Sequence, residues 1–366
     1  MSSEEHSLDL AGLERPALET VFGRLGLERF RARQVFRWIH RHGATSFDAM
    51  TDLSQQLRAT LATACRLVTP RIAGREKSVD GTEKFLLELA DGNRIESVFI
   101  PDTPAMTFCV STQVGCAMAC RFCLTGKMGL VRHLTAGEIV GQVRVLADAL
   151  DMRDKRFNIV FMGMGEPLHN YDETMKALRM LMDEEGLAVS PRRVTLSTVG
   201  LLPALERLAH EPRMPNLAIS LHAPTDAIRG DLVPVNKKYG VAEIVEACRR
   251  FPLKRRSRIT FEYVLLAGVN DSAEDARRLA KLLAGIKSKI NLIPLNAAPG
   301  IPFERPSDQA INRFAQVLAD HYLTVSVRKS RGRDIRAACG QLIVDGQKPS
   351  SAQRLASLAF ADGMHG

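Results

Sequence analysis

From Thr107 onward the chain alternates short apolar runs with longer amphipathic ones, and that alternation leaves few folds open. TFCVST precedes a cysteine-rich loop and TAGEIVGQVRVLADAL. NIVFMG precedes YDETMKALRMLM, RVTLST precedes LLPALERLA, and LAISLHA precedes VAEIVEACRRF. RITFEYVLL precedes AEDARRLAKLL, INLIPLN precedes DQAINRFAQVLAD, and LTVSVR comes last. The first member of each pair has strand length and is nearly all apolar. The second carries apolar residues at three- and four-residue spacing. Six such units predict an α/β fold with a parallel sheet covered on both faces, open or curled toward a barrel. Thr135, with Glu138 three residues on, predicts a capping box at the first helix.

The region before this differs in period. LETVFGRLG, RARQVFRWIHRH and SQQLRATLATA read as three helices with a basic face of Arg31, Arg33, Arg37, Arg41 and His42, and with Phe36 and Trp38 in their core. EKFLLEL and RIESVFIP, joined through Asp91-Gly92, read as a β-hairpin serving as linker or lid. The expected division is a helical accessory domain at 1–69, the hairpin linker at 70–104, the α/β core at 105–340 and a C-terminal tail at 341–366, with residues 1–13 loose. The net charge of +9 suits a polyanionic partner such as nucleic acid, though an acidic membrane surface would also fit. An acidic N-terminus and the lack of any long apolar stretch predict neither a signal peptide nor a membrane span.

Four of the seven cysteines fall in CVSTQVGCAMACRFC, where Cys116, Cys120 and Cys123 are spaced C-x3-C-x2-C. An odd count without a secretory signal points to metal rather than disulfides. Spacing alone leaves two readings open. One is an iron–sulfur cluster held by three thiolates, with one iron open to a ligand. The other is a structural zinc with His133 as fourth ligand. Of the remaining cysteines, Cys65 and Cys248 read as packing. Cys339 follows RKSRGRDIRAA, whose charges are expected to favour thiolate, and Lys329, Arg331, Arg333 and Arg336 could meet phosphates.

Ligands in parallel α/β folds bind at the carboxyl ends of the strands. Here those ends hold the cysteine loop, Gly163-Met164-Gly165-Glu166-Pro167, Ser197-Thr198, Ser220-Leu221-His222 and Asn296. The glycines would let a ligand approach the backbone, Glu166 could accept from an ammonium, and Ser197 and Asn296 could bond a ribose or adenine. Glu96, within a predicted strand, reads as a solvent-facing carboxylate.

The cysteine run resembles the radical S-adenosylmethionine (SAM) signature. Together with MGMGEPLHNYD, RRVTLSTVG, AISLHAPTDAIRGDLVPVNKKY, KINLIPLNAAPG and VRKSRGRDIRAACGQL, it makes the chain similar to the RlmN family from about Phe30 to Leu342. That resemblance implies a radical SAM partial (β/α)6 barrel. It also implies methylation of adenine carbon 2 in 23S rRNA, at the peptidyl transferase centre, and in some tRNAs. The Cfr family, which methylates carbon 8, shares most of these motifs and is the alternative; a non-catalytic zinc-bearing RNA-binding protein is another.

By resemblance, Cys116, Cys120 and Cys123 hold a [4Fe-4S] cluster. Gly165, Glu166, Ser197, Ser220, Leu221, His222 and Asn296 contact SAM. Cys339 carries the methyl, Cys109 resolves the protein–RNA adduct and leaves a disulfide, and Glu96 is a proton acceptor. Ala297-Ala298 departs from the family, which often has an aromatic or proline there. The implied setting is a cytoplasmic monomer with no membrane partner, served by a low-potential donor such as flavodoxin or ferredoxin. Carbon 2 is electrophilic and cannot attack a SAM methyl directly, so a radical route is needed.

Overall fold

The computed structural model describes residues 8–101, 105–347, 349–350 and 353. Near the N-terminus three helices, Arg15–Arg24, Arg29–His40 and Gln55–Ala64, follow the expected pattern. Pro16 occupies the first turn of the first helix, where its missing N–H costs nothing. Ser54 caps the third by accepting from Leu57 N at 3.2 Å. Leu18, Phe22, Val35, Phe36 and Ile39 are fully buried in a core of their own. Trp38 only packs against that core, and its indole N–H donates to Asp52. The basic face is partly neutralised, since Arg33 pairs with Glu19 and Arg37 with Glu185.

The expectation of a loose segment at 1–13 does not hold for its described part; residues 1–7 lie outside the described residues. Strand β1 (Leu8–Asp9) pairs with β2 (Cys65–Arg66), and Leu10 and Ala11 are fully buried. This segment docks the helical module on helix Ala136–Ala149: a side chain at Gly137 would come within 2.8 Å of the Gly12 backbone. Buried Arg144 of the same helix donates to Ala44 O at 3.2 Å.

The remaining strands are β3 (Arg71–Lys77), β4 (Glu83–Glu88), β5 (Arg94–Ile100), β6 (Thr107–Cys109), β7 (Gln113–Cys116), β8 (Gly129–His133), β9 (Asn158–Phe161), β10 (Val194–Thr198), β11 (Asn216–Ser220), β12 (Ile259–Leu265), β13 (Ser288–Pro294) and β14 (Val325–Val327). Ten of them form one sheet, ordered β14-β13-β12-β11-β10-β9-β6-β5-β4-β3. From β6 to β14 all pairings are parallel, as the alternation requires. The sheet curls: Thr107 of β6 and Ser326 of β14 line one cavity. Thr135 and Glu138 form the predicted capping box.

Two expectations change. The 70–104 hairpin is real between β4 and β5, but it is no separate linker or lid. With β3 it continues the main sheet antiparallel through β5 and β6. β3 is exposed at an edge and has no apolar alternation to betray it. The stretch after residue 340, expected to be a tail, packs inward: Leu342 and Val344 join the core. Its part beyond residue 353 lies outside the described residues. Among the described residues no helix is long and apolar enough to cross a membrane.

Candidate active site

A cavity of about 700 Å³ opens at the carboxyl ends of the barrel strands and runs down the sheet's inner face. Its volume suits a cofactor or nucleotide. Cys109 at the end of β6, Cys123 of the cysteine loop, Asn296 beyond β13 and Cys339 all line it. The inner face is polar, against the expectation of strands apolar on both sides. Thr107, Asn158, Thr195, Asn216, Thr260, Glu262, Lys289, Asn291 and Ser326 alternate with apolar residues that point to the helices.

The cysteine loop grows out of the antiparallel ribbon of β7 and β8. Gly115 just before Cys116 is required there: with φ +76°, any Cβ would fall 1.8 Å from Gly129 O. Cys123 N donates to Cys120 O at 3.1 Å and Arg121 N to Leu232 O at 3.0 Å, which closes the loop onto the barrel end. Burial raises the thiols of Cys116 and Cys120, and each is raised further by neighbouring cysteines of the set. Cys116 and Cys120, whose ionisation is thus disfavoured, need a cation beside them to become ligands. Soft thiolates select iron–sulfur or zinc.

Register argues against His133 as a fourth ligand to the three cysteines. His133 lies opposite Gln113, whereas Cys116 lies opposite Gly129. Three strand residues, roughly 10 Å, therefore separate the histidine from the first cysteine. His133 instead meets Gln113 Nε2 through Nδ1 at 3.0 Å. The thiol set fits a cluster, which would be held by Cys116, Cys120 and Cys123.

The strand ends revise several assignments. Gly163 lines the cavity, and tight packing requires glycine at both Gly163 and Gly165. A Cβ at Gly163 would meet Val110 O and Ser111 Oγ at 2.7 Å, and one at Gly165 (φ +103°) would meet Gln113 Cβ at 2.6 Å. The Glu166 carboxylate accepts from Leu168 N and Val199 N, both at 2.9 Å, and burial pushes it up to about 7. It thereby ties two strand ends together, with a carboxylate lone pair still able to accept. Ser197 and Ser220 share a hydroxyl contact of 3.2 Å, and Leu221 is fully buried. His222, at φ +61°, accepts from Val264 N through Nδ1 at 3.1 Å and packs edge-on against Phe122. Asn296 Nδ2 donates to Cys339 O at 3.2 Å, while its buried Oδ1 has no partner among the described residues. An orphaned acceptor facing the cavity is what a ligand donor such as the adenine amine or ribose of SAM would satisfy.

Arg229 carried no assignment in the sequence, yet it holds these ends in place. Its buried guanidinium donates to Leu221 O (2.9 Å), Val199 O (2.6 Å), Ser220 O (3.1 Å) and Asn236 Oδ1 (2.9 Å). Its charge also stabilises the Cys120 thiolate. A lone arginine on a short helix gives no periodic signal that would have identified it.

Cys339 rides on a segment strapped across the cavity mouth. Leu124 N donates to Gly340 O at 2.8 Å and Thr125 Oγ1 to Leu342 O at 2.7 Å, directly after the last cluster cysteine. Gln341 Nε2 donates to Ala297 O at 2.9 Å, so the departing Ala297 is engaged through its backbone. Glu96 is the strap's far anchor and not a solvent-facing residue. It is 4% exposed, pairs with Lys84 Nζ at 3.0 Å and accepts from Ile343 N at 2.8 Å. It does not line the cavity. The expected thiolate at Cys339 is opposed: burial, with Glu262 and Cys123 nearby, raises the thiol, against the pull of Arg328, from the end of β14, and a backbone hydrogen bond. Burial pushes Cys109 up to about 12. All seven cysteines are free.

The family profile described as ribosomal RNA large subunit methyltransferase N-terminal domain matches residues 8–67, and that of the radical SAM superfamily matches 110–280. The dual-specificity RNA methyltransferase RlmN of Geobacter sulfurreducens is 50% identical over 347 residues, 94% of this chain and 95% of that protein. That of Anaeromyxobacter dehalogenans is 49% identical over 358 residues, 96% of each. The crystal structure of a radical SAM methyltransferase from Sphaerobacter thermophilus superposes with a TM-score of 0.87 at 48% identity, covering 92% of this chain and 99% of that one. With the cysteine loop, the strand-end pocket and the helical module each matched in their order along the chain, the protein belongs to the RlmN family of radical SAM methyltransferases.

Proposed function

We propose that the chain methylates carbon 2 of an adenine in 23S rRNA, at the peptidyl transferase centre, and in some tRNAs. The observation that carries this reading is the meeting of Cys109 and Cys339, remote in sequence, on one cavity wall beside Cys123. A [4Fe-4S] cluster on Cys116, Cys120 and Cys123, with SAM, supplies the methyl group and the hydrogen-abstracting chemistry that an unactivated carbon demands.

The chain's own residues do the rest. The Cys339 thiolate, favoured by Arg328, displaces the methyl from its sulfonium donor and holds it as a thioether. Once that carbon is bonded to the ring, the adduct must shed one electron as well as the ring proton, and a [4Fe-4S] cluster held by Cys116, Cys120 and Cys123 would be the acceptor of that electron. The Cys109 thiolate then attacks the Cys339 sulfur. An S–S bond forms, the C–S bond breaks, and its electron pair stays on the transferred carbon, which takes up a proton. The resulting Cys109–Cys339 disulfide is a stage of the cycle that an external reductant must reopen. Burial keeps Cys109 protonated until that stage. Glu96, with both carboxylate oxygens engaged, acts in this reading as the strap's anchor rather than as a proton acceptor.

The helical module of residues 1–69 and the cavity-side cations Lys329 and Arg331 are the proposed RNA contacts. The proposed setting is a cytoplasmic monomer supplied by flavodoxin or ferredoxin. The test is anaerobic reconstitution with an RNA fragment, SAM and a reductant, followed by nucleoside mass spectrometry. 2-Methyladenosine is expected; 8-methyladenosine, or no methylated base, overturns the proposal.

A further inference from the structure

Across the inner face of the barrel, Ser220, Glu262, Asn291 and Ser326 stand in one register row of four adjacent parallel strands. A carboxylate in the middle of a buried strand is unusual and must be answered. Glu262 is 4% exposed. One of its oxygens, Oε1, accepts from Asn291 Nδ2 at 2.9 Å. The other, Oε2, has no hydrogen-bond partner among the described residues. Arg328 Nη1 faces that oxygen at 3.9 Å, too far to hydrogen-bond. Both residues line the cavity that holds Cys109 and Cys339. An unsatisfied buried carboxylate oxygen is costly unless something completes it, and the partly exposed Arg328 beside it does not.

We propose that Glu262 and Arg328 read the target adenine: Glu262 Oε2 accepts from the exocyclic amine, and Arg328 donates to ring nitrogen N1. This rests on the adenine-methylation reading above. On adenine's pairing edge an N–H donor stands beside a bare nitrogen acceptor, the complement of a carboxylate beside a guanidinium. Guanine and uracil present the reverse order, a carbonyl oxygen beside an N–H, and would set like against like at both positions. Unstacked bases are commonly read on this edge. Carbon 2 is bonded to N1, so it comes to lie on the Arg328 side. Both thiols line the same cavity as the pair: Arg328's charge reaches Cys109 and Cys339, and Glu262's reaches Cys339 as well. Glu262 and Arg328 are thus specificity residues for the base.

The test pairs a protein change with a base change. Wild type and Glu262→Gln are compared on one RNA whose target is adenosine, purine riboside (no amine), 1-deazaadenosine or 7-deazaadenosine. Both turnover and binding are followed. A charge-assisted hydrogen bond corresponds to roughly 10- to 100-fold. Wild type should lose about that factor in kcat/KM on purine riboside and on 1-deazaadenosine, and little on 7-deazaadenosine. Glu262→Gln should lose a similar factor on adenosine and nothing further on purine riboside. Equal losses on adenosine and purine riboside, an unaffected variant, or tolerance of 1-deaza with intolerance of 7-deaza would each overturn the assignment. Were wild type to methylate no RNA yet bind adenosine RNA tenfold better than purine-riboside RNA, with the preference gone in Glu262→Gln, the pair would stand and the methylation reading would fall.

Discussion

Replacing His222 with asparagine should remove a defined part of the protein's acid sensitivity. Burial, with Arg229 nearby, lowers the imidazole from 6.5 to about 3. The unfolded chain therefore takes up a proton near pH 6.5 that the folded chain refuses until about pH 3. The unfolded state binds more protons across that window, so this contribution to stability is whole above pH 6.5 and is lost as pH falls. At about 1.4 kcal/mol per unit, roughly 2 kcal/mol is gone by pH 5 and about 5 kcal/mol by pH 3. Asparagine tolerates the left-handed backbone at this position, and its Oδ1 can accept from Val264 N in place of Nδ1. Loss of the contact with Phe122 adds an offset, but one that does not vary with pH. Urea midpoints of both proteins at pH 8, 6.5, 6 and 5 make the test. Between pH 6.5 and 5 the wild type should lose about 2 kcal/mol more than the variant. Parallel profiles would refute the argument that burial keeps this ring neutral.

Cys120→Ala should lose iron and keep its circular dichroism, because the cysteine loop sits at the end of a core that does not depend on it; full iron content would sink the ligand assignment. Cys339→Ala should carry no methyl and modify no RNA, whereas Cys109→Ala should accept the methyl and stall as a covalent RNA adduct, visible on a denaturing gel and by peptide mass spectrometry. Adduct in the former, or free methylated RNA at wild-type rate from the latter, would reject these roles. Arg331→Ala with Arg333→Ala should weaken RNA binding and flatten its salt slope by roughly one unit per lost phosphate contact, with iron unchanged. Arg229→Met leaves three backbone carbonyls and Asn236 without their donor, so urea unfolding should show a loss of about 3 kcal/mol or more and SAM binding should weaken. Stability within about 0.5 kcal/mol of wild type would show the brace to be dispensable.

Local pattern alone determined the succession of strands and helices, the Thr135–Glu138 cap and the three-cysteine loop. Periodicity, caps and short spacings act within a few residues and survive in a one-dimensional reading. Family motifs then named Cys109, Cys339 and Asn296 as partners, and the fold puts all three on one cavity. What the linear pattern could not carry was side-chain direction and long-range company. Glu96 read as solvent-facing because a strand's period distinguishes two faces without saying which is covered; here the strap's Ile343 and Lys84 cover it. Gly163 and Gly165 read as room for a ligand, and only tertiary packing shows that Ser111 and Gln113 also press against them. Glu262 and Asn291 carried no assignment in the linear pattern. Curling of the sheet turned them into one wall of a polar cavity and brought Arg328 across to face them, because register between strands, not order along the chain, decides which side chains meet.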